Sequence, residues 1–373
     1  MGRSRRTRKP ALRRVTPRDG RPEPGHAGLR GRWTGRPHCS SRPNLANLWS
    51  GSPRRGAAGT GRRGAEGGFM DHVTVSGYSR RPPHVVADEK GFFAREGLEI
   101  EFHVAKLAPE HNKEMAEGRW NMTLSSADTM IARATRDHVD YVLFMQAEEG
   151  LGVSLIGQPG IKRIEDLRGR LLAGDPGDSN LDLIRMKMMR RHGLMESDYR
   201  VEIIGNTPER AKAFLAGKVE AAMLTPPSSD TVLAKGGVLL GRGEDYVPNW
   251  PLACGWGLRS WVEDHRDIVV RFIRAWAAST DWLLKPENKE ETLGLLMTQE
   301  KLTRDRAEHA YDRVVPKGAI NPDAIRKNME LRIELGVYPP PHHTAEHFYD
   351  TSYWCEATGL SAPVPAGRPA NAA

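Results

Sequence analysis

The fold is decided by the stretch Gly91-Phe92-Phe93-Ala94-Arg95-Glu96-Gly97-Leu98-Glu99-Ile100, which joins the end of a helix to the start of a strand. Two phenylalanines give the helix an apolar end. Gly97 can close the helix because glycine adopts a positive φ without a Cβ penalty. Leu98, Ile100 and Phe102 then alternate with polar residues, as in a half-buried strand. The joint predicts a helix followed at once by a strand, and its neighbours extend that pattern.

The alternation of strands and helices runs over residues 71–254. Strands that alternate with helices predict a largely parallel sheet covered on both faces. The predicted strands are Val73–Gly77, Leu98–His103, Met122–Ser125, Tyr141–Gln146, Gly152–Gly157, Arg170–Gly174, Arg200–Ile204, Ala221–Thr225 and Val238–Gly241. After Trp256 the pattern becomes helical, with a long amphipathic helix at Asp264–Leu284 and further helices near 288–297, 303–313 and 321–335.

One predicted helix of the second half has a clear start signal. Thr207 is predicted as its N-cap, with Pro208 at the first helical position. We expect this helix to bury Ala211, Phe214 and Leu215, because these apolar residues recur at helical spacing.

The strand count is nearly twice that of one doubly wound sheet, which predicts two lobes. The apolar run Leu151–Gln158 is predicted to cross into the second lobe, and Leu252–Leu258 to return. The predicted division assigns 70–151 plus 255–360 to the first lobe, 152–254 to the second lobe, and 361–373 to a loose Pro/Ala-rich tail.

The net positive charge of the chain comes from residues 1–69, which hold 17 of the 55 Lys and Arg residues but 3 of the 47 Asp and Glu residues. This leader has no periodic apolar pattern, so it is predicted to be a disordered basic segment. A leader that is not translated, with Met70 as the start, is the favoured interpretation, because a strand begins directly after Met70. The alternative is a basic arm that binds nucleic acid or anionic lipid.

Neither an export signal nor a membrane span is predicted. No apolar run of signal-peptide length follows the arginines, and no segment reaches about 18 apolar residues. Cys39, Cys254 and Cys355 have neither CxxC nor metal spacing, so no disulfide framework, metal or cofactor is predicted. His343 and His347 have the i, i+4 spacing of metal ligands, but a polar turn and helix start is favoured.

Four more segments, taken with the opening stretch, resemble the substrate-binding proteins of bacterial importers in order and spacing. They are the strand-to-helix step Ser125–Thr129, the "DLKGK"-like entry Ile164–Arg170, the "AL-x-AG-x-[IV]-DA"-like run Ala213–Ala222 and the helix Trp261–Leu284. The resemblance spans about residues 72–300. It is closest to the aliphatic-sulfonate, nitrate and taurine type, within the wider thiamine-pyrimidine synthase-like superfamily.

The resemblance implies a periplasmic-binding-protein type II fold, whose two α/β lobes close about a hinge on a small solute. It also implies an ABC permease as partner and export to the periplasm, whereas the lack of a signal peptide would leave the protein in the cytoplasm. In open α/β sheets, ligands sit beyond the carboxyl ends of strands, where helix N-termini suit anionic groups.

Candidate ligand-binding residues in the first lobe follow two predicted strands. Tyr78 and Arg80 come after the first strand, where an aromatic ring and a guanidinium suit an anionic or aromatic ligand. Ser125 and Ser126 end the third strand and open a helix, so either one caps that helix or contacts the ligand.

The second-lobe candidates are Asp178, Ser179, Asn180 and Thr225. Asp178 adds a negative charge where an anion would sit, which indicates a ligand with an amine or hydroxyl. The alternative is that Asp178 or Ser179 only caps the next helix. Trp250 and Trp256 flank the return crossing, where each is either a core residue or stacks on a ligand ring.

The leading functional hypothesis is a non-enzymatic protein that binds a small polar organic molecule: a carboxylate, a sulfonate or a pyrimidine-like compound. The chain has no G-x-S-x-G, no phosphate loop and no H-E-x-x-H motif. The alternative is an enzyme on the same scaffold, similar to a thiamine-pyrimidine synthase or an aromatic-acid decarboxylase, with Lys106 and His111 as candidate catalytic groups. A cytoplasmic sensor or nucleic-acid binder that uses the basic leader is the third hypothesis.

Overall fold

Short apolar runs bounded by glycine and polar residues form ten β-strands. The computed structural model describes residues 70–106, 108–175 and 179–363, which lie in one compact unit, Ala57–Ala373. The strands are β1 (Asp71–Gly77), β2 (Leu98–Val104), β3 (Met122–Ser125), β4 (Tyr141–Glu149), β5 (Ser154–Gly157), β6 (Leu171–Gly174), β7 (Arg200–Ile203), β8 (Ala221–Leu224), β9 (Val238–Arg242) and β10 (Pro251–Leu258). The predicted leader 1–69 lies outside the described residues, as does the predicted tail beyond residue 363.

The ten strands form two five-stranded sheets with the same internal order. The first sheet runs β2-β1-β3-β10-β4 and the second β7-β6-β8-β5-β9. In each sheet the two pairs at one edge are parallel, and the fourth strand, β10 or β5, pairs antiparallel with both neighbours. The predicted two-lobed α/β fold with mostly parallel sheets is therefore confirmed, with one reversed strand per sheet.

The reversed strands are those that connect the two sheets along the chain. β5 is the first strand of the second sheet, and β10 brings the chain back into the first. The lobe boundaries predicted at residues 151 and 254 remain a prediction. Residue 151 lies between β4 and β5, and residue 254 lies within β10.

Thirteen α-helices are present in the described residues. They are α1 (Pro82–Glu89), α2 (Phe92–Arg95), α3 (Ala108–Ala116), α4 (Ala127–Arg136), α5 (Asn180–Arg191), α6 (Thr207–Leu215), α7 (Ser228–Ala234), α8 (Arg259–Asp264), α9 (Arg266–Leu283), α10 (Lys289–Gln299), α11 (Arg304–Tyr311), α12 (Pro322–Glu334) and α13 (Ser352–Thr358). The long amphipathic helix thus begins two residues later than predicted, since Asp264 ends the separate helix α8.

The joint at Gly97 folds as the sequence indicates. Gly97 has a φ of +67°, and its N–H donates to the Ala94 carbonyl at 3.0 Å, which closes α2. Leu98 follows directly as the buried first residue of β2. The chain therefore turns from helix to strand at the one residue type that adopts this conformation without strain.

Helix α12 belongs to the packing of both lobes. Its Ile325 and Met329 lie in the same apolar cluster as Met130 of α4, beside the first sheet. Its Leu331 lies in the cluster of the second sheet, together with residues of α5. The C-terminal helices therefore cover the first sheet and also contact the second.

The start and the buried face of α6 differ from the prediction. Asn206, not Thr207, is the N-cap: its side chain accepts the Glu209 N–H and its own N–H donates to the Glu209 carboxylate, a reciprocal capping box. Leu215 is exposed, and Arg210 is buried in its place. A buried guanidinium is tolerated there because carbonyls and a carboxylate accept its hydrogen bonds.

Candidate functional site

A cleft of about 740 Å³ opens between the two sheets. Its walls come from the segment after β1, the connection after β4, the segment after β8, the end of β9, and helices α10 and α11 with the loop that joins them. The volume falls in the range of about 300–1,000 Å³ that is typical of sites for small organic ligands. Both sheets contribute strand ends, so movement of one lobe against the other would change its width.

Two predicted ligand-binding residues of the first lobe lie on this cleft. Tyr78 and Arg80 both line it, as do their neighbours Ser79 and Arg81. Tyr78 is 42% exposed and packs edge-on against His111, with ring centroids 5.6 Å apart. The end of β1 therefore presents an aromatic ring and two guanidiniums to the cleft.

The guanidinium of Arg80 is already engaged by protein groups. Its Nε donates to Glu300 Oε1 at 2.8 Å, and its terminal nitrogens contact Asp88 and Gln299. These contacts tie the β1–α1 segment to the end of α10. Arg80 thus contributes charge at the wall, while most of its hydrogen-bond donors have partners.

Arg81 and Arg313 form a second cationic region of the cleft. Arg81 contacts the buried carboxylate of Glu148 at 2.9 Å, and its buried Nε has no partner among the described residues. Arg313 contacts Glu244 at 2.9 Å. Burial lowers the pKa of the Arg313 guanidinium from its ordinary value, and the charge of nearby Arg81 acts in the same direction. The carboxylates of Glu244 and Glu148 oppose this shift and partly neutralise the two cations, and an anionic ligand would add to that neutralisation.

Two further guanidiniums on the cleft, Arg242 and Arg306, are exposed and make no ion pair with any residue in the described ranges. Arg242 ends β9 on the second sheet, whereas Arg306 lies on α11. Asp230 and Asp305 also line the cleft. The cleft therefore offers cations for an anionic group and carboxylates for an amine or hydroxyl.

The second sheet reaches the cleft through the end of β8. Thr225, a predicted ligand-binding residue, and Pro226 line it directly. The Thr225 hydroxyl lies 3.4 Å from the Thr207 hydroxyl. This short segment lines the same cleft as the β1–α1 segment of the other lobe, as expected for sites beyond the carboxyl ends of strands.

The other first-lobe candidates, Ser125 and Ser126, are buried and do not belong to the cleft wall just described. Ser126 is the N-cap of α4, and its Oγ accepts the Asp128 N–H at 3.2 Å. Asp128 contacts Arg332 of α12 at 2.6 Å, and both side chains are almost fully buried. This strand end is therefore occupied by capping and an ion pair.

The remaining second-lobe candidates lie at the start of α5. Ser179 is the N-cap, and its Oγ accepts the Asp182 N–H, which is the capping role given as the alternative. The Asn180 side chain accepts the Leu181 N–H at 2.8 Å. Neither residue lies on the 740 Å³ cleft wall, and Asp178 lies outside the described residues.

Helices α10 and α11 are the part of the site that sequence reasoning missed. They and their joining loop contribute Leu296, Glu300, Leu302, Arg306 and His309 to the wall. Burial lowers the pKa of His309, and the neighbouring Arg313 adds to the shift. The only signal in the sequence was the run Arg304-Asp305-Arg306, which is equally typical of a solvated helix face.

Several other residues that the sequence analysis named as candidates do not line the cleft. Trp250 and Trp256 are buried core residues. His111 is buried behind Tyr78, where its Nε2 lies 2.8 Å from Ser76 Oγ and its Nδ1 has no partner in the described part of the chain. Burial lowers the pKa of His111, so its neutral form is favoured. Lys106 is exposed beyond β2.

Metal and membrane sites can be assessed only over the described ranges. No group of three or more His, Cys, Asp or Glu side chains that could hold a metal occurs there. The rings of His343 and His347 stack with centroids 4.0 Å apart. Within the same ranges, no helix has both the length and the apolar character that crossing a bilayer requires.

Comparison with known proteins identifies the family. Residues 82–289, more than half of the chain, match the family described as NMT1/THI5 like. This chain belongs to the NMT1/THI5-like family. The family resemblance seen in the sequence is thereby confirmed, and the matched segment contains both sheets except β1.

Individual relatives of the NMT1/THI5-like chain are distant. YtlA of Bacillus subtilis (strain 168), whose curated name gives it a provisional binding role, is 20% identical over 259 residues, covering 67% of this chain and 77% of YtlA. The periplasmic aliphatic sulphonate binding protein SsuA of Escherichia coli has a TM-score of 0.61 at 16% identity, covering 76% of this chain and 99% of SsuA. The desulfurization enzyme DSZB has a TM-score of 0.60 at 12% identity, covering 78% and 99%. These similarities confirm the type II binding-protein fold, which a binding protein and an enzyme share.

Proposed function

We propose that this chain is the solute-binding protein of an ABC-type importer and captures a small polar organic anion, a carboxylate or a sulfonate, in the interlobe cleft. The observation that carries the proposal is a cleft of about 740 Å³ bordered by strand ends of both sheets and by two guanidiniums, Arg242 and Arg306, that make no ion pair within the described residues. The names of SsuA and YtlA, which both describe binding, support it.

The physical basis is desolvation of an anion between two walls. Arg81 and Arg313 lie close enough to affect one another, while Arg242 and Arg306 reach the cleft from opposite lobes. Closing the lobes would exclude water, which strengthens these charge interactions because the local dielectric constant falls. Two sheets connected by β5 and β10 suit such a hinge motion.

The partner in this proposal is a membrane permease, and the site of action is outside the cytoplasmic membrane, as the name of SsuA states for that protein. Cell fractionation of the producing organism tests the location. Recovery of the full-length chain in the cytoplasm alone would remove the import role while leaving solute binding intact.

The decisive experiment is isothermal titration of the purified chain with matched carboxylates, sulfonates and pyrimidines, and with a neutral alcohol of each carbon skeleton. We expect saturable 1:1 binding of at least one anion and no binding of its neutral partner. Absence of heat and of any thermal shift across the panel would contradict the proposal. A ligand recovered by mass spectrometry with unchanged mass supports binding without turnover.

The alternative is an enzyme on the same scaffold, and two observations favour keeping it. DSZB, of the same fold, is described as an enzyme, and here the buried imidazole of His111 lies behind cleft residue Tyr78. Prolonged incubation of a bound ligand with the protein, followed by mass spectrometry, separates the two. Loss of ligand mass that the His111→Gln variant abolishes would replace the binding proposal.

A further inference from the structure

The cleft is larger than an anion alone requires. An inorganic anion or a two-carbon acid would occupy a small part of about 740 Å³ and leave the rest to water. Water left in the cleft would keep the guanidiniums solvated and weaken their interaction with the anion. The cleft therefore has room for a ligand that carries a carbon skeleton beside its acid group.

Apolar side chains border the same space as the guanidiniums. Leu252 and Leu302 line the cleft from the start of β10 and from the α10–α11 loop, and both remain partly exposed. Leu151 and Leu296 lie on the same walls and are almost fully buried. The leucines come from separate parts of the chain, so their meeting here is a feature of the cleft and not of one helix face. Covering the exposed ones with a ligand would remove apolar surface from water, which is favourable.

Tyr78 adds an aromatic ring to the wall of the same cleft. Its ring lines the cleft, and its hydroxyl makes no hydrogen bond within the described residues. On the protein side it meets the His111 ring edge-on at an interplanar angle of 73°, and His111 is fixed by Ser76. An aromatic side chain held from one side offers a preformed surface to a second ring, because aromatic rings favour offset-stacked and edge-to-face contacts.

From these observations we infer that the ligand is an aromatic acid, a carboxylate or sulfonate on a ring, with the ring against Tyr78 and the leucines and the acid group toward Arg81 and Arg313. This inference rests on the proposed function and sharpens it. Tyr78 then determines specificity for the ring, while the guanidiniums determine the requirement for charge. An aliphatic acid of the same charge makes the second set of contacts and loses the first.

The test is a titration of the full chain with benzenesulfonate and benzoate against methanesulfonate and acetate, which carry the same acid groups without a ring. We expect each aromatic acid to bind at least about tenfold more tightly than its aliphatic counterpart. The Tyr78→Ala variant should reduce that preference to about threefold or less, and Tyr78→Phe should keep it. The control is Leu215→Ala, a truncation at a side chain of similar exposure, 41%, outside the cleft.

Each outcome has a distinct meaning. Aliphatic acids that bind as tightly as aromatic ones would overturn the inference and leave the proposed function standing. An aromatic preference that survives in Tyr78→Ala, with circular dichroism unchanged, would also overturn the role of Tyr78. Failure of every acid to bind would remove both the inference and the proposed function.

Discussion

The two sheets have the same strand order, yet equivalent strand ends meet the cleft differently. β1, the second strand in the order of the first sheet, leads into Tyr78 on the cleft, whereas β6, at the same place in the second sheet, leads into Asp175, which contacts the buried Arg210 at 2.6 Å. At the third strands of the two orders, β3 and β8, it is the second sheet whose strand end lines the cleft. β8 leads into Thr225 on the cleft, whereas β3 leads into the buried Asp128–Arg332 pair.

The comparison teaches that topology alone does not decide which strand ends are available to a ligand. At two of the four ends, a carboxylate is neutralised by a buried arginine from elsewhere in the fold. A buried ion pair of this kind adds little net stability, because desolvation offsets the Coulomb attraction, but it fixes one arrangement. The two ends without such a pair are those that line the cleft.

The largest expected effect comes from breaking the pair that closes the β3 end. Arg332→Met should leave the Asp128 carboxylate buried without its cation and lower the free energy of unfolding by about 3–5 kcal/mol. Urea denaturation followed by circular dichroism measures this. The control is Arg326→Met on the same helix, a partly exposed arginine whose pairs with Asp323 and Glu330 should contribute less than about 1 kcal/mol. Equal losses in the two variants would contradict a special role for this strand end.

The corresponding pair of the second sheet should have a smaller effect. Arg210→Met removes the contact with Asp175 and hydrogen bonds to the carbonyls of Met223 and Gly205. Because Asp175 keeps some solvent access, we expect a loss of about 2–3 kcal/mol in unfolding free energy. Lys212→Met, at an exposed position of the same helix, is the control. A loss larger than that of Arg332→Met would reverse the ranking of the two strand ends.

The stability of the protein should depend on pH through His111, which is buried behind Tyr78 at the end of β1. Burial lowers its pKa below the ordinary 6.5, so the unfolded chain takes up a proton first as the pH falls. The stability that the neutral imidazole contributes is present above pH 6.5 and is lost below it. The unfolding free energy of the wild type should therefore fall as the pH is lowered. We expect this fall to be smaller in His111→Gln, by about 1 kcal/mol per pH unit.

This effect is measured by urea denaturation at about pH 7 and about pH 5.5, on either side of the ordinary histidine pKa. His138→Asn, at an exposed position, is the control. If wild type and His111→Gln lost stability in parallel on acidification, the imidazole would not be the group responsible.

The smallest expected effect concerns Arg306, whose guanidinium lines the cleft and makes no ion pair in the part of the chain that the structure describes. Arg306→Gln should weaken binding of an anionic ligand about three- to fivefold at low salt, and less at high salt, because exposed charges are screened. Arg304→Gln is the control, since Arg304 belongs to the same run, two residues before Arg306, but pairs with Glu290 and Glu308. Equal effects of the two substitutions would place the anion elsewhere.

Local signals predicted most of the architecture. The nine predicted strands and the main helices are present because their patterns act within a few residues. The same kind of signal gave a wrong prediction for the buried face of α6. Leu215 fits the apolar spacing but is exposed, while Arg210 is buried. Burial of that arginine depends on the Asp175 carboxylate and on carbonyls that approach only in the folded lobe.

The candidate site was predicted less completely than the fold. Tyr78, Arg80 and Thr225 reach the cleft because they follow strand ends, a rule that needs no knowledge of the partner lobe. Ser126 and Ser179 follow the same rule, yet each caps a helix. The contribution of α10 and α11 could not be predicted, because nothing in the helical pattern indicates which face meets the segment after β1, where Arg80 contacts Glu300 from 220 residues away along the chain.

The sequence by itself determined the α/β class, the two lobes and the family, because strand alternation, glycine stops and helix caps are local properties of the chain. Tertiary structure alone decided that Arg332 closes one strand end, that Arg210 closes another, and that α11 brings Arg306 and His309 to the cleft. These outcomes depend on groups far apart in sequence sharing one desolvated space, where the presence or absence of an opposite charge fixes what each strand end can do.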